Sequence, residues 1–100
     1  MIYRMRIYEG VRPNAAVFNA FFKQHLLPVQ VRHGARLIGR WYTEDDRIVA
    51  VWEYDSRERY EQIQAAVRGD PDSAKAQEIR KTLPALNCSM RETFMESTGS

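Results

Sequence analysis

Arg36-Leu37-Ile38-Gly39-Arg40-Trp41-Tyr42-Thr43 and Arg47-Ile48-Val49-Ala50-Val51-Trp52-Glu53-Tyr54 flank three consecutive acids, Glu44-Asp45-Asp46. Both runs are rich in β-branched and aromatic residues, which suit a pleated, half-buried surface. The acids between them read as a turn, so the stretch is a β-hairpin. It lacks the Asn-Gly or Asp-Gly pair that fixes the geometry of a two-residue turn, and its register therefore stays open.

Moving towards the N-terminus, Gly34 sits where a helix needs a left-handed cap. Before it, Val17, Phe18, Phe21, Phe22 and Leu26 recur at helical spacing and form one bulky apolar stripe. Pro13 suits a first helical position, and Pro28 stops or restarts the helix before a short turn to His33. The first strand runs from Ile2 to Tyr8, with Tyr3, Met5 and Ile7 alternating with Arg4, Arg6 and Tyr8.

Moving towards the C-terminus, Asp55 or Ser56 supplies an N-cap, with Glu58 in the first turn to match the helix dipole. Tyr60, Ile63, Ala66 and Val67 form the buried face of that helix, and Gly69 ends it. Asp70 and Pro71 open another, with Ala74, Ile79 and Leu83 inward and Pro84 at its end. A last strand spans Asn87 to Met95.

The order is strand, helix, strand, strand, helix, strand, with one extra helix late. That is the split βαβ plan: α+β, ferredoxin-like, with a four-stranded antiparallel sheet covered by helices on one face. Residues 1–96 form a single domain and 97–100 a flexible tail.

Composition narrows the class. The chain has 100 residues, 44% hydrophobic and 28% charged, which fits one globular domain and excludes collagen-like and strongly disordered chains. No apolar run approaches the ~18 residues of a membrane-spanning helix, and Met1-Ile2-Tyr3-Arg4 lacks the apolar block of a signal peptide. One cysteine, Cys88, permits no internal disulfide and points to a reducing, cytoplasmic setting. It reads as an inert small hydrophobe. The net charge of +2 does not by itself imply a polyanionic partner.

Strand parity suggests which residues face the helices. The all-apolar set Tyr3, Met5 and Ile7 is expected there, with Leu37, Gly39 and Trp41 and with Ile48, Ala50 and Trp52. The open face then carries Arg4, Arg6, Tyr8, Arg36, Ile38, Arg40, Tyr42, Val49, Val51 and Glu53. A sheet whose second face simply met water would carry polar residues there. Apolar and cationic side chains together imply that a second copy of the chain covers it, giving a homodimer.

These residues also resemble NIPSNAP-type domains. The similarity runs through Tyr3-Arg4-Met5-Arg6-Ile7-Tyr8, His33-Gly34-Ala35-Arg36-Leu37-Ile38-Gly39-Arg40-Trp41, Val51-Trp52-Glu53-Tyr54-Asp55-Ser56, and Asp70-Pro71 ahead of Ile79-Arg80. It covers Ile2 to about Met95. The chain departs from the family pattern at Arg4, where members often carry glutamate. The resemblance implies the dimeric α+β barrel superfamily, in which two ferredoxin-like units close through their sheets. That superfamily includes cofactor-free monooxygenases, heme-degrading enzymes and proteins without known activity.

Candidate chemistry follows from the open face. Arg4, Arg6, Arg36 and Arg40 can cradle an anionic small molecule through bidentate contacts, or they can pair with Glu53, Glu92 or a partner chain's acids around the interface. Tyr8, Tyr42 and Trp41 can line an aromatic pocket or be ordinary strand residues. The ligand-binding set is therefore Arg6, Tyr8, Arg36, Arg40, Tyr42 and Glu53, and the catalytic candidates are His33, Tyr8 and Arg40. His33 reads either as a general acid or base or as a helix-end residue favoured by the dipole. His25 and His33 have no Cys or carboxylate at ligand spacing, so neither a metal nor a cofactor is expected. The strand signature of RNA-recognition sheets is missing, and no nucleic-acid partner is expected. Two functions remain: a homodimer holding a small anionic or aromatic molecule in its barrel, with monooxygenase- or isomerase-like chemistry, or a non-catalytic interaction module whose barrel its own side chains fill.

Overall fold

The computed structural model describes residues 1–10, 14–83 and 89–99. The strands are β1 (Ile2–Glu9), β2 (Arg36–Tyr42), β3 (Arg47–Tyr54) and β4 (Met90–Met95). Helix α1 (Ala15–Phe21) runs through a π-helical segment, Phe22–Leu26, into α2 (Leu27–Arg32); α3 (Arg57–Arg68) and α4 (Pro71–Lys81) follow β3. The sheet order is β2-β3-β1-β4 with every pairing antiparallel. This is the expected ferredoxin-like α+β plan, one sheet with helices on a single face.

Local chemistry sets the boundaries. The hairpin turn closes through Thr43 N–H to Arg47 O and Arg47 N–H to Thr43 Oγ1, both 2.9 Å. Asp46 takes φ +68°, a left-handed conformation that short polar side chains tolerate. Gly34 has φ +106°, as a residue ending a helix with a left-handed turn requires. Ser56 Oγ accepts from Arg59 N–H at 3.0 Å, and Asp70 Oδ1 from Asp72 N–H at 2.9 Å, so both predicted caps form. The π segment has its cause in Pro28. That residue has no N–H for the Gln24 carbonyl, and the helix widens ahead of it, with Leu27 N–H donating to Phe22 O.

The core lies in two clusters between helices and sheet. Phe18, Phe21, Ile48 and Ala76 form one; Phe22, Ala35, Trp52, Tyr54 and Ile63 form the other. Fully burying a side chain such as Ile48 or Ile63 contributes about 1.5–3 kcal/mol. Strand β3 alternates strictly, with Ile48, Ala50, Trp52 and Tyr54 buried under the helices and Val49, Val51 and Glu53 opposite, as expected.

The parity of β1 is the reverse of the expectation. Arg4 pairs with Trp52, Arg6 with Ala50 and Tyr8 with Ile48, so these three face the helices, while Tyr3, Met5 and Ile7 lie on the open face. The apolar set does not mark the helix side here, because this sheet has apolar residues on both faces.

Strand β2 departs for a second reason. Leu37 pairs with Trp52 but Gly39 with Val51, leaving Ile38 as an extra residue in a bulge. Beyond the bulge every side chain changes face. Arg40 and Tyr42 join the helix side, and Gly39 and Trp41 join the open side, opposite to the expectation.

Smaller corrections follow. Ala66, Ala74 and Val17 are exposed, and Ala76 takes the buried place in α4. Helix α4 ends at Lys81 and not Leu83, and β4 begins at Met90. Pro13, Pro84, Asn87 and Cys88 lie outside the described residues.

Candidate functional site: a cationic cavity under the helices

A cavity of about 490 Å³ opens between the helices and the sheet of a single chain. The expected chamber was on the other side of the sheet, between two sheets; this void is on the helix side. Its floor is Arg4, Arg6 and Tyr8 of β1, Ala50 and Trp52 of β3, and Met90 of β4. One wall is the first helical run, with Phe18, Phe22, His25, Leu26 and Gln30, and the other is the α3–α4 corner, with Arg68, Ala74, Ala76, Gln77 and Arg80. Ala50 below and Ser73, Ala74 and Ala76 above supply too little side chain to fill the gap between the layers. The π segment contributes Phe22, His25 and Leu26 to the wall, so the local widening of the helix lies at the cavity.

The floor is unusual in its charge. The Arg4 side chain is 4% exposed, with its guanidinium 5.2 Å from the Tyr60 ring centre and 5.9 Å from that of Tyr54. Arg4 Nη1 donates to Tyr60 Oη at 3.3 Å and lies 3.8 Å from Glu92 Oε2. The Arg6 guanidinium lies over the Tyr8 ring at 5.4 Å, and its Nε is 3.5 Å from the same Glu92 oxygen. That approach is an ion pair without hydrogen-bond geometry: the Nε atoms of both Arg4 and Arg6 are buried and have no hydrogen-bond partner. Two guanidinium groups thus share one carboxylate. Arg68 and Arg80 add positive charge at the walls, and among the described residues no Asp or Glu lines the cavity.

The other candidates are placed elsewhere. Arg40 faces the helices but does not line the cavity; it stacks over Phe22 at 4.3 Å and Phe18 at 5.1 Å and donates to Asn19 Oδ1. Two of its nitrogens, Nε and Nη2, are buried without partners, and burial lowers its pKa from the usual arginine value. Asn19 Nδ2 also donates to Tyr42 Oη at 2.7 Å, which ties Tyr42 to the helix layer at the sheet edge.

Arg36 and Glu53 lie on the open face, paired at 2.8 Å, with Asp55 on the second Arg36 nitrogen at 2.9 Å. Hydrogen bonds from Arg36 and then Tyr3 hold the Glu53 carboxyl below its ordinary range. His33 is also apart from the cavity. Its Nε2 lies 2.7 Å from Asp70 Oδ2, which also accepts from Arg32 Nη1 at 2.8 Å. The backbone bond from Asp72 and then the contact with His33 keep the Asp70 carboxyl low. This cluster fastens the end of α2 to the start of α4.

Of the residues predicted as binding or catalytic, then, the fold gathers Arg6 and Tyr8 in the cavity. Arg40 and Tyr42 sit at the sheet edge, Arg36 and Glu53 on the open face, and His33 at a helix junction. Sequence reasoning missed Trp52, Phe22, His25 and the α4 residues as lining, and placed Arg4 on the wrong face. The missing signal was the pairing of Arg4 with Trp52, which only the sheet register supplies.

Among the described residues no group of three or more His, Cys, Asp or Glu is arranged to hold a metal. No helix among them is long and apolar enough to cross a membrane.

The open face completes the picture. It carries Tyr3, Met5 and Ile7 beside Val49 and Val51, and Trp41 is 52% exposed. A Cβ at Gly39 would fall 2.4 Å from the Trp41 ring, so the glycine lets the indole lie against its own strand.

Comparison with known proteins places this geometry in a family. A NIPSNAP-like domain protein from Burkholderia xenovorans superposes with a TM-score of 0.77 at 27% identity, over 99% of this chain and 87% of its own. A NIPSNAP family protein from Agrobacterium tumefaciens gives 0.82 at 16% identity, over 98% and 93%. A dimeric ferredoxin-like protein from an uncultured marine organism gives 0.63 at 14% identity, over 99% and 95%. No curated protein matches. The NIPSNAP family profile matches residues 3–98, and the chain belongs to the NIPSNAP family.

Proposed function

We propose that the protein is a homodimer, joined through the open face of its sheet, that binds a small molecule in the cavity beneath the helices of each protomer. The observation that carries the binding half is the cavity itself. A void of about 490 Å³, lined by aromatic and aliphatic side chains interspersed with arginines and uncharged polar groups, has the size of a small-molecule site. A module filled by its own side chains would not leave that space. Arg6 and Tyr8 are its binding groups on the floor.

The dimer half is supported by the apolar open face and by the dimeric state of the ferredoxin-like structure it resembles. Contiguous exposed apolar surface of this kind marks an interaction site, and a symmetric pairing of identical patches is the commonest closed assembly.

The test is native mass spectrometry of protein taken directly from cells. A compound retained at one per chain is expected, and the Ala74→Trp variant, which fills the mouth from an exposed helical position, should release it. A chain that carries nothing, and gains nothing on incubation with cell extract, overturns the binding half.

A further inference from the structure

Resting on that reading, we infer that the cavity selects a monocarboxylate on a flat apolar body, its carboxylate received by the guanidinium groups of Arg6 and Arg4 on the floor.

The charge count sets the head group. Arg4 and Arg6 bring two positive charges, and Glu92 returns one negative charge at 3.8 and 3.5 Å. On the floor itself one positive charge is left over, and Arg68 and Arg80 add more at walls that, among the described residues, carry no Asp or Glu. A monoanion neutralises the excess on the floor, and a neutral ligand leaves it in place.

The hydrogen-bond count points the same way. The Nε–H groups of Arg4 and Arg6 are buried and unpaired. A buried donor without an acceptor costs about 1–3 kcal/mol, so the two guanidinium groups are under-satisfied within the fold. Guanidinium offers only donors, in a planar fork whose geometry matches a carboxylate. An alcohol or amide oxygen supplies an acceptor but no charge.

The rest of the cavity sets the body. Phe21, Phe22, Leu26 and Val29 stand above the floor, in which the Trp52 ring lies beside the arginines. Flat aromatic groups fit among such rings by offset or edge contacts. Arg68 at the end of α3 is exposed at the cavity wall, where it raises the local concentration of anions.

Glu92 is the internal competitor. It is 35% exposed on an edge strand, so it can move aside when a stronger partner reaches Arg6. Neutralising it should therefore favour the ligand.

The experiment is isothermal titration of the full chain with naphthalene-2-carboxylate, its neutral counterpart 2-naphthylmethanol, 2-naphthyl phosphate and inorganic phosphate. The carboxylate is expected to bind one per chain, at least tenfold more tightly than the alcohol. Arg6→Gln should bring that ratio close to one. Glu92→Gln should tighten the carboxylate several-fold and leave the alcohol unchanged, with far-ultraviolet circular dichroism confirming that the variant is folded.

An alcohol that binds within twofold of the carboxylate overturns the charge selection while sparing the cavity as a binding site. A tenfold preference for 2-naphthyl phosphate, or for inorganic phosphate, over the carboxylate overturns the monocarboxylate assignment. If no compound binds and native mass spectrometry also finds the chain empty, the binding reading itself has failed.

Discussion

The two faces of the sheet use their side chains in opposite ways. The helix-covered face carries Arg4, Arg6, Tyr8 and Arg40 among buried aromatics. The uncovered face carries Tyr3, Met5, Ile7, Val49, Val51 and Trp41, and its charged residues include the ion pairs Arg36–Glu53 and Arg91–Glu9. Usually the covered face is the apolar one. Here cations lie under the helices because aromatic rings, one carboxylate and a tyrosine hydroxyl receive Arg4, and because a cavity adjoins Arg6. The apolar side chains are left for a surface that helices never cover. Polarity of a strand face therefore does not by itself report which side the helices cover.

The largest effect is expected from breaking the open face. Val51→Asp sets a carboxylate in the middle of that face, twice in a symmetric dimer, and burying an unpaired charge costs several kcal/mol. Light scattering at micromolar concentration should then drop from twice the 11.7 kDa chain mass to that mass, with the far-ultraviolet circular dichroism retained. An unchanged dimer would remove this face as the interface.

A smaller effect separates two arginines on the covered face. Removing one member of a buried pair costs about 3–5 kcal/mol, but Glu92 is partly exposed and keeps Arg6, so Arg4→Met should cost only about 1–2 kcal/mol in denaturant unfolding. Arg40→Met should stay within about 1 kcal/mol, since Arg40 has two orphaned nitrogens and no carboxylate partner among the described residues, and methionine keeps much of the contact with Phe22. Equal losses at both sites would mean that Glu92 does not distinguish them.

The smallest effect is titration on the open face. Glu53 has a depressed folded-state pKa, so its contribution to stability is fully present above the ordinary glutamate range and is lost as pH falls through the lower folded value. Carboxyl NMR should place the Glu53 midpoint below that of a free glutamate, and Arg36→Gln should return it towards the ordinary range. A midpoint already ordinary in the unmodified chain would show that Arg36 does not hold it.

Much of the molecule was legible from local chemistry. Caps at Ser56 and Asp70, the left-handed Gly34, the acidic turn and the helical phenylalanine stripe each act within a few residues of themselves. The alternation in β3 was legible too, because burying Glu53 without a partner would have been costly. The candidate site was far less so. Arg6 and Tyr8 were named, but as members of the wrong face, and His33 was named for a chemistry that its contact with Asp70 turns into a structural junction.

The amino-acid order by itself determined the succession of strands and helices, several of their caps, and which residues of β1 and of β3 stand together on one side. It did not determine which side. Alternation has a period of two and no sign, so β1 reads equally well either way until Arg4 is hydrogen-bonded opposite Trp52. The bulge at Ile38 then reverses β2 halfway along, and no pattern of apolar residues announces it. Those two events of pairing, which involve residues distant in the chain, are what put two arginines beneath the helices and a greasy surface on the outside.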